Sequence, residues 1–207
     1  IPKQRLWYIR AKEVIISSGS IERPLVFGNN DTPGVMLSSA AKEYLKIYGV
    51  LVGKKPLVFT NNDSGYETAI EFKKNGIDSI ILDTRKDPNS EIIQEAKDLN
   101  INIKTSYVVV AAKGYKKVNS ADIAKLSDDK KNVSNIENIK CDCICVSGFW
   151  TPTIHLASQS GNKTKFNEEI DAFIPSQSKQ KETTLGSANG IFTLEETLKT
   201  SFEKGNE

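Results

Sequence analysis

Residues 60–65, TNNDSG, have the position of a phosphate-binding loop, because they follow a short apolar run and precede a helix pattern. A G-x-G-x-x-G loop uses its glycines for a tight turn, for the approach of a pyrophosphate and for helix packing, and here only Gly65 remains. Asn62 puts a side chain where phosphate oxygens would lie, and Asp63 adds negative charge at the helix N-terminus. We predict a dinucleotide-type fold that has lost its site. The alternative of retained binding rests on Asp83, which matches the position of a ribose-binding acid.

The cysteines Cys141, Cys143 and Cys145 alternate along an apolar segment and could form a metal site or a disulfide. Same-face residues of a strand lie roughly 6.5–7 Å apart, whereas two sulfurs on one zinc must lie within roughly 4 Å of each other. The same spacing argues against a disulfide between neighbours. We therefore predict reduced thiols that pack on one face of a buried strand, which suits a reducing compartment.

The only histidine, His155, is the first candidate for acid–base chemistry. No serine or cysteine nucleophile stands near it in an activating motif such as G-x-S-x-G. We predict that His155 is a structural or surface residue. Glu22 and Arg23 either pair with each other in a loop or are solvated.

The middle of the chain alternates strand and helix patterns, which predicts a parallel, right-handed α/β unit. The predicted strands are 57–59, 79–82 and 101–103, and the predicted helices are 64–75 and 89–99. Residues 107–112 add an antiparallel strand or hairpin. Residues 115–138, rich in Lys, Asp, Asn and Ser, predict a mobile loop.

The flanking segments carry shorter patterns. We expect two strands or one bent strand in 5–17, a loop in 17–24, a helix from Ser38 or Ser39 to about Tyr48, a strand in 141–146, a helix that begins at Pro152, a short strand in 173–175 and a closing helix in 194–202.

The composition of the 207 residues, 38% hydrophobic and 26% charged, is that of a soluble globular protein. The net charge of +2 comes from acids and bases mixed along the chain, which argues against nucleic acid as a partner. No apolar run reaches the roughly 18 residues of a membrane span, and the N-terminus has no signal-peptide core. We therefore expect a cytoplasmic protein without a membrane partner. Because the chain starts at Ile1 and its one methionine is Met36, we also expect a piece of a longer product.

Two distant segments, VIISSGSIERP at 14–24 and CICVSGFWTPTIHL at 143–156, resemble paired elements of two-dinucleotide-domain flavoproteins. Ser17-Ser18-Gly19 stands where that architecture has A-T-G, and GFWTP at 148–152 stands where it has Gly-Phe-x-Pro. The resemblance implies an α/β fold, in which a Rossmann-like three-layer unit at 53–133 is inserted into an incomplete FAD/NAD(P)-binding domain of the disulfide-reductase-like type. Residues 1–52 and 134–207 would form the C-terminal half of that domain.

The runs SSGSIERPLVFGNNDTPGVML at 17–37 and GSANGIFTLEETL at 186–198 are similar to the alpha subunit of heterotetrameric sarcosine oxidase, and the resemblance extends over essentially the whole chain. It implies the NAD-binding region of an oxidoreductase subunit that works with other subunits. The complete complex of that family uses FAD, FMN and tetrahydrofolate, and demethylates sarcosine to glycine. No catalytic or metal-binding residue is implied in this region, and the isolated fragment is expected to be inactive.

The resemblance places NAD against the backbone around Ser18 and Gly19 and against the loop at Ser187, Gly190, Phe192 and Leu194. The glycine-rich fingerprint of the family would lie before Ile1. Two alternatives stay open: a related oxidase or dehydrogenase of proline or an opine, and a scaffold module with a vestigial nucleotide pocket. The apolar strands near Val14 and Cys143 could also cause the fragment to self-associate.

Overall fold

The computed structural model describes residues 3–206 and shows an α/β chain. The strands are β1 Val14–Ile16, β2 Ser20–Glu22, β3 Val35–Leu37, β4 Pro56–Thr60, β5 Ile80–Asp83, β6 Asn102–Thr105, β7 Tyr107–Lys113, β8 Ser120–Lys125, β9 Glu137–Ile139, β10 Cys143–Ser147, β11 Trp150–Pro152, β12 Thr164–Asn167, β13 Ala172–Pro175 and β14 Glu182–Thr184. The helices are α1 Ser38–Tyr48, α2 Ser64–Lys74, α3 Glu91–Asp98, α4 His155–Gln159 and α5 Leu194–Gly205, and a 3₁₀ turn covers Gly186–Asn189. No helix among these is long and apolar enough to cross a membrane.

The chain divides into two compact units. One is the continuous segment Glu22–Phe149, and the other joins Ile1–Ile21 to Trp150–Glu207. The continuous unit is wider than the predicted insert of 53–133. The reason is that β3 and β10, which were expected in the flanking domain, pair in parallel with each other, and β10 also pairs with β4.

The continuous unit has three layers around a parallel sheet of order β3-β10-β4-β5-β6. On one face, α1, α2 and α3 enclose a core that includes Val58, Tyr66 and Ile81. On the other face, the antiparallel sheet β7-β8-β9 encloses Leu57, Ile123 and further apolar side chains. Because both faces are covered, all five residues of β4 and of β10 are buried.

The predicted strand–helix–strand rhythm is confirmed in the middle of the chain. Helix α1 also ends as predicted, at Gly49, which adopts the left-handed φ of 63° that favours glycine. The predicted mobile loop at 115–138 is wrong in part, because it contains β8 and the start of β9. Ile123 and both alanines of β8 are buried, since β8 pairs on both sides.

Three further expectations in the flanking segments are wrong in whole or in part. Of the strands expected in 5–17, β1 confirms the second, but residues 5–10 form no strand, and Leu6 to Ile9 are all highly exposed. The predicted loop at 17–24 contains β2, which pairs with β11. Pro152 therefore ends a strand, and the helix begins only at His155.

The three cysteines are free and buried, but they do not share one face. Cys141 precedes β10 and belongs to the core below the antiparallel sheet, whereas Cys143 and Cys145 face the helices. The sulfurs of Cys143 and Cys145 lie 3.7 Å apart, closer than the backbone spacing suggested, because strand side chains can lean along the strand. No cluster of three metal-ligating side chains occurs within residues 3–206.

Glu22 and Arg23 are not simply solvated. Glu22 is 4% exposed, and one of its carboxylate oxygens accepts hydrogen bonds from the backbone N–H and the hydroxyl of Ser39, at 2.8 and 2.6 Å. This distant carboxylate takes the place of the serine cap expected for α1, where no side-chain cap bond is found. Arg23 donates from Nε to the Gly148 carbonyl at 3.1 Å.

Candidate nucleotide site

The loop between β4 and α2 is filled by its own side chains. Asn62 is 6% exposed and donates from Nδ2 to the carbonyl of Ser147 at 3.1 Å. Its Oδ1 accepts from the backbone N–H of Ser64 at 2.9 Å, so it also bonds the first turn of α2. Asn62 therefore joins the carboxyl ends of β4 and β10 at the place where a phosphate would need open amides.

Gly65 keeps the packing role of the third glycine in a dinucleotide loop. A Cβ at this position would lie 2.6 Å from Cβ and 2.7 Å from Oγ1 of Thr60. The helix thus approaches β4 too closely for any other residue. The glycine that remains is the one required by the fold rather than by a ligand.

Asp83, the candidate ribose acid, is also engaged by the protein. Its carboxylate is fully buried and accepts hydrogen bonds from Arg85, whose Nη2 lies 2.8 Å from Oδ2 and whose backbone N–H donates to Oδ1 at 2.9 Å. The Tyr66 hydroxyl donates to the same Oδ2 at 2.8 Å. Arg85 also pairs with Asp63 at 2.8 Å, so one guanidinium links two acids. The acid therefore has no oxygen without a protein partner.

The electrostatics of this cluster follow from burial and charge. Burial and, after it, the Asp83 carboxylate raise the pKa of Tyr66 well above its ordinary value. Burial lowers the pKa of Arg85, but the hydrogen bonds and charges of Asp83 and Asp63 outweigh burial and leave it raised. The cluster thus holds a neutral phenol, a guanidinium and two acids in fixed positions.

The discontinuous unit places the predicted NAD residues around two neighbouring strand ends. Strand β1 runs parallel to β14, with Ile16 opposite Thr184, and the backbone N–H of Leu185 donates to the Ile16 carbonyl at 2.9 Å. Ser18 and Gly19 follow β1, and Ser187 follows β14. Because parallel strands end at the same edge, these three residues leave the sheet on one side, where ligands of α/β folds bind.

Gly19 has open space beside it. Its φ is +74°, and a Cβ there would meet nothing within 4 Å. Its carbonyl accepts from the Thr153 N–H at 2.9 Å, and the Ser18 hydroxyl donates to the Thr153 carbonyl at 2.7 Å. The turn is thus held in place by Thr153 while one side of the Gly19 backbone stays accessible.

Gly190 differs from Gly19 although its φ is also positive, at +80°. A Cβ at Gly190 would lie 3.1 Å from Ile170 and from Ile174. This glycine therefore allows the 3₁₀ turn to pack against β13, and its location gives no evidence of close approach by a ligand.

Phe192 and Leu194 precede and begin α5, which has no buried residue, and Leu194 is 73% exposed. The first turn of α5 does not favour an anion. The Thr193 hydroxyl accepts from the Glu196 N–H, and Glu195 and Glu196 place two negative charges there.

The sequence patterns did not identify two polar residues near the strand ends, Arg85 and Thr184. Arg85 joins Asp63 to Asp83, and the D-x-R spacing at 83–85 was the available signal. Thr184 ends β14, and its buried hydroxyl has no hydrogen-bond partner among the described residues. A lone threonine at a strand end carries no distinctive pattern.

His155 lies exposed at the start of α4, as expected for a surface residue.

Comparison with curated proteins shows similarity over nearly the whole chain. The sarcosine oxidase subunit alpha of Corynebacterium sp. (strain P-1) is 31% identical over 207 residues, which cover 99% of this chain and 21% of that protein. The subunit of the same name from Rhizobium meliloti (strain 1021) is 35% identical over 190 residues, which cover 91% of this chain and 18% of that protein. The chain thus spans about a fifth of the length of these relatives. No protein-family model matches it.

Solved structures share the fold. Thioredoxin reductase of T. acidophilum superposes with a TM-score of 0.70 at 18% identity, over 90% of this chain and 61% of that one. L-proline dehydrogenase of P. horikoshii superposes with a TM-score of 0.56 at 21% identity, over 86% of this chain and 30% of that one. The predicted fold of the disulfide-reductase type is confirmed.

Proposed function

The chain is similar to a segment of sarcosine oxidase alpha subunits, and from this premise we propose that it is the NAD-binding region of such a subunit. The observation that carries the proposal is 31% identity across 99% of the chain. The complete protein would then be an oxidoreductase that demethylates sarcosine to glycine and passes the one-carbon unit to tetrahydrofolate. Its partners would be the other subunits of the complex, and FAD and FMN would be further cofactors.

The residues of the chain would bind and orient NAD, which supplies a nicotinamide able to accept hydride. The open side of Gly19 allows a ligand to reach the backbone, and the unpartnered hydroxyl of Thr184 offers a hydrogen bond at the same strand edge. Ser187 would contribute its backbone and hydroxyl, and Phe192 and Leu194 would border the ligand. We assign no catalytic residue to the chain, so it would not turn over substrate alone.

Calorimetry with NAD on the full-length alpha subunit tests this proposal. We expect Gly19→Val to lower NAD affinity about tenfold or more, because the side chain would enter the open space beside the turn. Gly49→Val is the matched control: Gly49 also has a positive φ, of +63°, and open space beside it, but it lies at the end of α1. Equal affinities of the two variants would contradict the assignment of Gly19.

Absence of any NAD binding to the full-length subunit would instead favour a scaffold module with a vestigial nucleotide pocket. The filled loop at Asn62 and the bonded Asp83 favour that alternative for the continuous unit. Binding of FAD but not NAD would support a dinucleotide site in the subunit but contradict its assignment to NAD.

A second candidate is the equivalent subunit of a proline or opine oxidase or dehydrogenase. It is favoured by the shared fold with a protein named L-proline dehydrogenase. Steady-state assays of the assembled complex with sarcosine, proline and opines distinguish the two, since only the enzyme proposed first oxidises sarcosine preferentially.

The isolated chain would also self-associate. Val14 and Ile15 of β1 are each about half exposed, at 48% and 53%, and apolar strand surface favours pairing with another chain. Light scattering across a range of concentrations tests this, and a monomer at all concentrations would contradict it.

A further inference from the structure

A cavity of about 480 Å³ opens at the amino ends of β4, β5 and β6. It lies at the opposite edge of the sheet from Asn62 and Asp83. Strand β5 has four residues, so the two edges are separated by roughly 10 Å. The volume falls within the range of roughly 300–1,000 Å³ that is typical of small-molecule sites.

The walls of the cavity combine apolar and polar side chains. Pro56 and Leu57 come from β4, Ile80 from β5, Ile101 from the residue before β6 and Ile139 from β9. Such walls favour a ligand with an apolar body, because binding removes apolar surface of both partners from water.

Ser79, just before β5, also lines the cavity. It is 6% exposed, and its hydroxyl has no hydrogen-bond partner among residues 3–206. Since buried polar groups are nearly always bonded, this hydroxyl remains available as a hydrogen-bond donor beside the cavity.

Three lysines border the cavity, and two of them are uncommitted. Lys73 pairs with Asp78 at 2.6 Å. Lys55 and Lys140 are exposed and form no ion pair within the described part of the chain. The neighbouring acid, Asp142, already accepts the backbone N–H groups of Lys54 and Lys55, each at 2.8 Å. The uncommitted charge at the cavity is therefore positive.

We propose that this cavity binds a small organic carboxylate. Its apolar body lies against the isoleucines and Pro56, its carboxylate interacts with Lys55 and Lys140, and Ser79 supplies a hydrogen bond. The site is separate from the proposed nucleotide site, because it belongs to the continuous unit and uses none of the residues assigned to NAD.

Titration of the ¹⁵N-labelled 207-residue chain with hexanoate, hexan-1-ol and hexylamine tests the proposal by NMR. These probes share one apolar chain and differ in the charge of the head group. We expect saturable shifts of the Ser79, Ile80 and Asn102 amides with hexanoate only. Equal effects of hexan-1-ol or hexylamine, or no saturable shift with hexanoate, would overturn the proposal, and the latter would leave water as the occupant.

Variants separate the roles of charge and hydroxyl. Lys55→Met with Lys140→Met should weaken hexanoate binding about tenfold or more, since each exposed pair contributes about fivefold in water. The double control Lys46→Met with Lys116→Met removes the same charge from exposed sites outside the cavity and should keep the affinity. If both double variants weaken hexanoate binding equally, the loss of net charge explains the effect, and the proposed site is refuted.

Ser79→Ala provides a readout that does not depend on the lysines. Without hexanoate its thermal midpoint should equal or exceed that of the wild type, because the substitution removes an unbonded buried hydroxyl. The affinity of this variant for hexanoate should fall about threefold to tenfold, because one hydrogen bond to the ligand is lost. An unchanged affinity in a folded Ser79→Ala variant would contradict the role of Ser79 and, with it, the proposed site.

Discussion

Arg85→Met should destabilise the continuous unit, because it leaves the buried Asp83 carboxylate without its cation. Removing one partner of a buried ion pair costs about 3–5 kcal/mol. The Arg85 side chain is 34% exposed, and the Tyr66 hydroxyl still bonds Asp83 in the variant. We therefore reduce the expected loss of unfolding free energy to about 2–3 kcal/mol. At about 2–4 °C per kcal/mol, the thermal midpoint should fall by about 4–12 °C.

Urea unfolding followed by far-UV circular dichroism measures this loss, and hydrogen exchange of peptides from β4 and β5 locates it. Lys86→Met is the neighbouring control: its pair with Asp128 is exposed on both sides, so the midpoint should stay at the wild-type value. Asp83→Asn combined with Arg85→Met should be more stable than Arg85→Met alone, because the double variant buries no unpaired charge.

Two results would refute this reasoning. The first is an Arg85→Met variant with the stability of the wild type, which would show that the Asp83 carboxylate does not depend on the guanidinium. The second is a double variant less stable than Arg85→Met, which would show that the carboxylate itself stabilises the fold through its remaining hydrogen bonds.

Three further predictions follow from buried groups and close contacts. Tyr66→Phe should lower the free energy of unfolding by about 1.5–3 kcal/mol at pH 7, because the hydrogen bond to Asp83 is lost. The pKa of Tyr66 is raised above 10.0 in the native state, so above about pH 10 the unfolded chain releases a proton that the native chain keeps, and the stability of the wild type should fall. Urea unfolding across this pH range should show a shallower fall for Tyr66→Phe. Burial raises the pKa of the Cys141 thiol to about 12, and the hydrogen bond with Cys143, followed by burial, raises the pKa of Cys145. An aromatic disulfide reagent at pH 8 should therefore modify no thiol before urea unfolds the chain, and rapid modification of the folded chain would contradict their burial. Gly148→Ala should cost about 1–3 kcal/mol, since its Cβ would lie 2.6 Å from the Arg23 carbonyl oxygen, whereas Gly205→Ala meets nothing within 4 Å and should change the melting temperature little.

The central alternation of strands and helices could be predicted because its signals are local. In 56–105 each element follows from the periodicity of a few consecutive residues and from stop signals such as Gly76. The same method failed for β8, whose polar and small residues are buried only because two other strands pair with it. It also failed for Leu6 to Ile9, where an alternating pattern forms no strand in the described structure.

The candidate site could be predicted only in outline. The degenerate loop and Asp83 were visible in the sequence, but the ion pairs that Arg85 makes with both acids depend on how β4, β5 and α2 come together. The serine and glycine positions at 18–19 and 187 came from a family resemblance, and the pairing of β1 with β14 explains why they leave the same sheet edge.

Local sequence is sufficient to define the helices and strands of the middle segment, since backbone conformation there responds to neighbours within about one turn or one pleat. Which distant groups meet depends instead on how the strands and helices assemble. Asn62 bonds Ser147 across 85 positions because β10 enters the sheet between β3 and β4, and Glu22 bonds the first turn of α1 from a separate strand. Such contacts arise from strand order, which no local pattern records, and they decide which polar groups stay open to a ligand.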